Sequence, residues 1–498
     1  MRNIGRMLKV FAVALVACLA VCVFVACGND KTDSNNGGNK NDNKMQTYNI
    51  GVTKGLEYGE ISANPVKSEN GGTLYEFAVT PKYGYAVKSM KVGGVEVAVE
   101  NNKATCVLGG DCMVEVTYQR KTNEELESRR AKVLAEMALI TGTYFKPDKD
   151  YDYNITSTKA AKIEANKLLQ GMPYSNFPTV SYYQFIEDYT SGQDENGVYI
   201  LKDLWIDENN KAIVGNNCAD AVYWAWSTIC STIDCVVTGN FSEPNGIVNL
   251  GTFTVAENEI DKDGRYNNTI DITKRNGLNT MLESYAMCLK GDALMNATNG
   301  AGHIVMVDSV NVVYDSQGNV NGDRSYVIYY DQNAGYSEKT AYKGQKVMSS
   351  TENGDKWTFM KLFEDGYIPL TIKELMDDET PIAEETVKDS LDANKFTTLN
   401  VTRGYIESNY YFSKIRMEIT DANGNTVFAA NRFRDETNPK RAALSWFTQT
   451  VGTEYKSYTI YDSAFDMNSL ATGTYHCKVT VWLASGNSYV VRDFDFQK

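Results

Sequence analysis

Alternation of apolar and polar residues at both ends of the chain is the feature that most restricts its fold. In residues 47–119, Tyr75, Phe77 and Val79 occupy every second position, and Val95, Val97 and Val99 do the same after Gly93-Gly94. A period of two places each set on one face of a strand, and a Gly-Gly pair suits a tight hairpin. Residues 390–498 repeat the pattern in KIRMEIT, TVFAA, YKSYTIY and TGTYHCKVTVWL, cut by the turn sequences DANGN and LASGN. Short alternating runs at this spacing predict a β-sandwich. Between these ends, residues 122–380 read as mixed helix and strand. In TNEELESRRAKVLAEMALIT, Leu126, Val133, Met137 and Ile140 recur at helical spacing behind a Thr-Asn-Glu-Glu opening, which predicts a helix. A second helix is expected over residues 157–169, ending at Gly171. Further helices are expected at 217–230 and 278–289, and strands at 303–314 and 325–331.

The N-terminus carries an address. Arg2, Arg6 and Lys9 precede an apolar run of 16 residues, 10–25. That run is short for a membrane span and suits the core of an export signal. It ends FVAC, and Cys27 is followed by Gly28 and polar residues. This resembles a bacterial lipoprotein signal, in which the cysteine is lipidated and becomes the new N-terminus. LVAC, ending at Cys18, has a closer local pattern, but cleavage there would leave an apolar run on the mature chain. Cys27 is therefore the expected lipidation site. Residues 28–45, GNDKTDSNNGGNKNDNKM, lack periodicity and read as a flexible tether. Its r.m.s. reach would be roughly 25 Å. The expected location is the extracellular face of a bacterial membrane, held by a lipid anchor. A net charge of −14 repels polyanions, so no nucleic-acid partner is expected.

Eight cysteines remain beyond the signal: Cys27, Cys106, Cys112, Cys218, Cys230, Cys235, Cys288 and Cys477. Export permits disulfides. Cys106 and Cys112 flank VLGGD, an expected hairpin across which they can pair. The others show no zinc-ligand spacing, so neither a metal nor a cofactor is expected.

One cysteine has a setting for chemistry. In GNNCADAVYWAW, Cys218 follows Asn217, a good N-cap, and Val222, Trp226 and Ile229 continue along one helical face. A thiol in the first turn of a helix is ionised more easily, because unpaired N–H groups stabilise the thiolate. It then needs a base. The chain has two histidines. His476 lies in TYHCKVTVWL, where it shares a strand face with Lys478 and Thr480, opposite to Cys477, and reads as a surface residue. His303 opens the apolar strand GHIVMVDSV directly after NGAG. It is the usable base. Tyr182, Tyr183, Phe185 and Trp205 suit either a core or a substrate groove, the core being the commoner use of such residues.

Here the chain resembles a family. NlpC-like cell-wall cysteine peptidases carry, in order, a Gly-x-Pro-Tyr segment, a helix-opening cysteine, a Gly-Asp strand entry and a Gly-His strand. The corresponding runs are GMPY (171–174), NNCADAV (216–222), KGDALM (290–295) and GHIVMV (302–307). The resemblance implies a papain-like fold over roughly 160–335, with Cys218 as nucleophile, His303 as general base and Tyr174 close to the thiol. A third polar residue orients the imidazole from the next strand, SYVIYYDQN. Asp331 is the first choice and Gln332 the second. The Cys218 backbone N–H would help bind the oxyanion. The family's Asp-Cys-Ser-Gly is Asn217-Cys218-Ala219-Asp220 here, so the bond usually cleaved is not carried over. The 85-residue spacing between Cys218 and His303 leaves room for an inserted lid. Transglutaminase-like enzymes use Cys, Gly-His and a strand-end Asp in the same order. Separately, PKYGYAVKSMKVGGVEV resembles the internalin-type bacterial repeat module, a spacer or adhesive unit of about 70 residues.

The expected fold class is multidomain: an all-β repeat module, an α+β papain-like domain and a C-terminal Ig-like β-sandwich. The expected boundaries are a signal peptide (1–26), a tether (27–46), the repeat module (47–120), the hydrolase domain (121–385) and the sandwich (386–498). The expected activity is hydrolysis of amide or peptide bonds, with cell-wall peptidoglycan stem peptides as substrate and the membrane as anchor. The alternative is an adhesive or ligand-binding surface lipoprotein with an inactive hydrolase-like domain.

Overall fold

A computed structural model of the chain describes residues 45–156, 159–176, 180–233, 237–299, 301–333, 347–348, 357–389, 405–432, 444–445, 456–459, 461–462 and 470–498. The expected export signal, Cys27, the expected tether up to residue 44 and Cys235 lie outside the described residues. The chain is β-rich and divides into two compact units between Thr122 and Asn123.

The first unit holds two sheets. One orders its strands Ile50–Lys54, Cys112–Arg120, Tyr85–Val92, Val95–Val97, and the other Gly59–Glu69, Gly72–Pro81, Lys103–Leu108. Alternation works as the sequence suggests for Tyr75, Phe77 and Val79, and likewise buries Val114 and Val116. It does not hold after Gly93-Gly94, where the strand covers only Val95–Val97, Val95 is exposed and Val99 lies beyond the strand. Gly93 and Gly94 adopt φ 60° and 83°, the positive pair that a two-residue hairpin between Val92 and Val95 requires. The expected hairpin around VLGGD does not form. Its two strands pair into different sheets, and Cys106 and Cys112 are free thiols.

The second unit begins with the helix Glu124–Gly142. Asn123 caps it by accepting from the Leu126 N–H at 2.9 Å, and Glu124, Glu125 and Glu127 suit the positive end of its dipole. Its buried stripe includes Leu126, Val133, Met137 and Ile140. The helix expected over residues 157–169 is absent among the described residues of that range. Lys159–Ile163 instead pairs antiparallel with Tyr151–Thr156, and Leu169–Gln170 pairs with Tyr144–Pro147. The helix-forming lysines and alanines of this stretch are overridden by the partner strand, whose Tyr151, Tyr153 and Ile155 are buried in strict alternation.

A seven-stranded antiparallel sheet forms the centre of this unit. Its order is Val248–Asn249, Ile368–Thr371, Ala293–Thr298, Ala301–Asn311, Tyr326–Tyr330, Val347–Met348, with Trp357–Thr358 also paired to Tyr326–Tyr330. Ile304, Val305, Met306 and Val307 are fully buried, which explains the unbroken apolar run after His303. The helix Cys218–Ser227 packs on this strand and is buried at every position, as an all-round apolar sequence demands.

The C-terminal strands complete the unit. The sheet Thr426–Arg432, Phe412–Asp421, Thr474–Leu483, Ser488–Gln497 buries Ile415, Met417, Ile419, Cys477, Val479 and Val481. It joins the helix Tyr182–Tyr189 through Ser181, whose hydroxyl donates to the Ser413 carbonyl at 2.9 Å, and through Glu187, which pairs with Lys414 and Arg416. His476 sits on the opposite face from Cys477, between Asp493 at 3.0 Å and Asp495 at 2.8 Å.

Candidate active site

Cys218 is the first residue of its helix. The Asn217 side chain accepts from the Asp220 N–H at 2.9 Å, and the Asp220 carboxylate accepts from the Asn217 N–H at 3.2 Å. This reciprocal capping box fixes the entry of the chain and leaves the cysteine in the turn where the helix dipole favours an anion. Cys218 is only 3% exposed. The Tyr174 hydroxyl donates to it at 3.9 Å, and the Thr238 hydroxyl lies at the same distance on another side.

His303 reaches the thiol from the central strand. Gly302 precedes it because a Cβ there would lie 1.9 Å from the Asn296 carbonyl oxygen of the neighbouring strand. The Asn296 side chain in turn accepts from the His303 N–H at 2.9 Å. The ring Nε2 is 2.7 Å from Asp331 Oδ1, which leaves Nδ1 as the nitrogen available to the nearby Cys218, whose charge acts on the ring. Asp331 is held by the Asn333 amide, which donates to its other oxygen at 3.1 Å. The His303 side chain is 21% exposed and that of Asp331 5%.

Electrostatics at this site favour a thiolate facing an imidazolium. Burial opposes ionisation of Cys218, but the charge and hydrogen bond of His303, the Ile304 N–H and the Tyr174 hydroxyl outweigh it and hold the thiol below its ordinary value. Burial likewise opposes protonation of His303, but the carboxylate of Asp331 and the thiolate outweigh it and raise the imidazole well above its usual range. Tyr174 is pushed up by burial and by the thiolate's charge, so it remains a phenol. The phenol lies 3.9 Å from the sulfur of the first residue of the helix, at the helix N-terminus where an oxyanion would also gather donors.

The structure thus brings together Cys218, His303, Asp331 and Tyr174. Gln332 takes a different place. Its amide donates to the Met172 carbonyl at 3.0 Å and to the Asn216 carbonyl at 2.9 Å, away from the imidazole. Among the aromatic residues, Tyr182 and Phe185 are core, Trp205 is partly buried and Tyr183 is half exposed. Among the described residues, no cluster of His, Cys, Asp and Glu is able to hold a metal ion.

Two contributors lacked a sequence signal or had a faint one. Thr238 arrives from the stretch between Cys218 and His303, on a short 3-10 turn that packs against the strands Ala293–Thr298 and Ala301–Asn311. No periodicity marks it. Asp292 of KGDALM is fully buried and paired with the equally buried Arg130 at 3.2 Å. Arg130 falls four residues after Leu126 and seven before Met137, on the buried helical stripe, and that spacing was the available clue.

The chain matches no family model, no curated protein and no solved structure.

Proposed function

We propose that this protein is a cysteine hydrolase of amide or peptide bonds, built on a papain-like, NlpC-like arrangement and acting outside the cytoplasm on peptidoglycan stem peptides. One observation carries the reading. His303 is hydrogen-bonded to Asp331 at 2.7 Å through Nε2 and lies close enough to Cys218 for thiol and imidazole to shift each other's ionisation. A nucleophile, a base and an orienting carboxylate in series are the working parts of thiol acyl transfer.

In this reading the Cys218 thiolate attacks the amide carbonyl carbon. The C–N bond breaks as the His303 imidazolium gives its proton to the leaving amine, leaving a thioester and a neutral imidazole. His303 then takes a proton from water, whose oxygen attacks the thioester. The carboxylic acid leaves and the thiolate–imidazolium pair returns. Lipidation at Cys27 and the polar tether would keep the enzyme at the cell wall, and the N-terminal module and Ig-like C-terminal part would act as spacers or adhesive units.

A binding role without turnover is favoured by the burial of the thiol beneath Tyr174 and Thr238. Incubation with purified peptidoglycan, followed by mass spectrometry of the released fragments, separates the two. Fragments absent with Cys218→Ala support hydrolysis. Fragments that persist in that variant refute this mechanism, and none from the wild type favours binding.

A further inference from the structure

The strand end that carries Asp331 does a second job one residue later. Gln332 is fully buried. Its amide nitrogen has two hydrogens and directs them to two carbonyls, those of Met172 and Asn216, at 3.0 and 2.9 Å. These carbonyls belong to the two segments that carry the site: Met172 lies two residues before Tyr174, and Asn216 two residues before Cys218. The segments also meet directly. Asn216 N–H donates to the Pro173 carbonyl at 3.1 Å, and Ser175 N–H to the Asn216 carbonyl at 3.4 Å. At Gly215 they approach so closely that a Cβ would lie 2.1 Å from the Pro173 oxygen. Gln332 Oε1 has no partner among the described residues. A buried carbonyl left without a donor destabilises the fold, so the residue's value lies in its paired donors. Only an uncharged amide of this length offers two donors at one atom here. Glutamate would offer none and bury a charge, and asparagine is one methylene short.

We propose that Gln332 is a positioning residue that holds the Tyr174 hydroxyl against the Cys218 sulfur by clamping their two segments together. The clamp rests on the proposed thiol chemistry only for its consequence, since the geometry concerns the thiol whatever its substrate. Asp331 and Gln332 then divide the work of one strand end: the first sets the imidazole and the second sets the phenol.

The test is a double-mutant cycle on the full chain, read by the pH dependence of iodoacetamide alkylation at Cys218, followed in the Cys218 peptide by mass spectrometry. Gln332→Met removes both donors at similar length, and Tyr174→Phe removes the phenol. Each single change is expected to slow alkylation at pH 6 by about tenfold, the worth of one hydrogen bond to a charged group, and to move the profile to higher pH. The double variant is expected to match Tyr174→Phe alone, because both changes remove one contact. Multiplied effects, or an unshifted profile in a folded Gln332→Met, overturn the clamp. Should Gln332→Met fail to fold by circular dichroism, Gln332→Asn replaces it in the same cycle with the same two outcomes. Peptidoglycan cleavage is scored separately. A non-additive cycle without cleavage keeps the clamp and removes the hydrolase, and cleavage with an additive cycle does the reverse.

Discussion

Asp331 holds Nε2 of His303 at 2.7 Å, and that contact decides which imidazole nitrogen faces Cys218. The carboxylate also supplies much of the field that keeps the ring protonated. Asp331→Asn keeps an acceptor and removes the charge. The imidazolium is then lost at lower pH than in the wild type, so the alkaline limb of the activity profile should move down. Loss of a charge-assisted hydrogen bond should lower kcat/KM roughly 10–100-fold. Steady-state rates across pH on a cleaved stem-peptide fragment check both. An unchanged alkaline limb would leave Asp331 without its assigned role.

Removal of His303 tests the thiol directly. In the wild type the ionised fraction of Cys218 persists below the pH at which ordinary thiols are neutral, because the histidine outweighs burial. In His303→Ala, burial acts against fewer opponents, and the thiol should titrate above its wild-type value. Alkylation of the Cys218 peptide between pH 5 and about pH 10 should shift to higher pH in the variant. Coincident profiles would mean that the histidine does not bear on the thiol.

Glu136 lies buried in the helix Glu124–Gly142, and burial pushes its carboxyl up to about 7 from an ordinary 4.5. The folded state therefore holds a proton that the unfolded chain releases above about 4.5. Stability falls as pH rises between these values, and above them the full cost is about 3 kcal/mol. Glu136→Gln removes the cost. The variant should be close to the wild type at pH 5 and more stable at pH 8, by several degrees in Tm. Equal melting temperatures at both pH values would show that Glu136 ionises freely.

Much of this was legible locally. The helix Glu124–Gly142, the hairpin at Gly93-Gly94 and the buried strand behind His303 announce themselves through period and turn chemistry within a dozen residues. The stretch at 157–169 misled because lysine and alanine favour a helix, while the decision belonged to Tyr151, Tyr153 and Ile155 on the facing strand. Alternation could not separate Asp331, the first choice, from Gln332, the second, since both follow the last paired residue of the strand. They separate only when His303 and the Met172 and Asn216 carbonyls are set around them. Thr238 was illegible because its contact with Cys218 depends on the path of an irregular segment.

Arg130 and Asp292 form a pair in which neither side chain is exposed. Arg130 also donates to the Lys290 carbonyl at 2.8 Å and the Leu375 carbonyl at 2.5 Å, while Asp292 accepts from the Leu289 N–H at 2.7 Å and the Thr371 hydroxyl at 2.6 Å. The pair thus ties the helix Glu124–Gly142 to the start of the strand Ala293–Thr298, next to the strand of His303. Arg130→Met strands the carboxylate in a dry site and should destabilise the unit by about 3–5 kcal/mol. Adding Asp292→Asn removes the stranded charge, so the double variant should melt higher than Arg130→Met alone. Both should alkylate Cys218 with the wild-type pH profile below their melting temperatures, because neither residue touches the thiol or its histidine. A double variant no more stable than Arg130→Met would assign the loss to the carbonyl contacts of Arg130 and not to the ion pair.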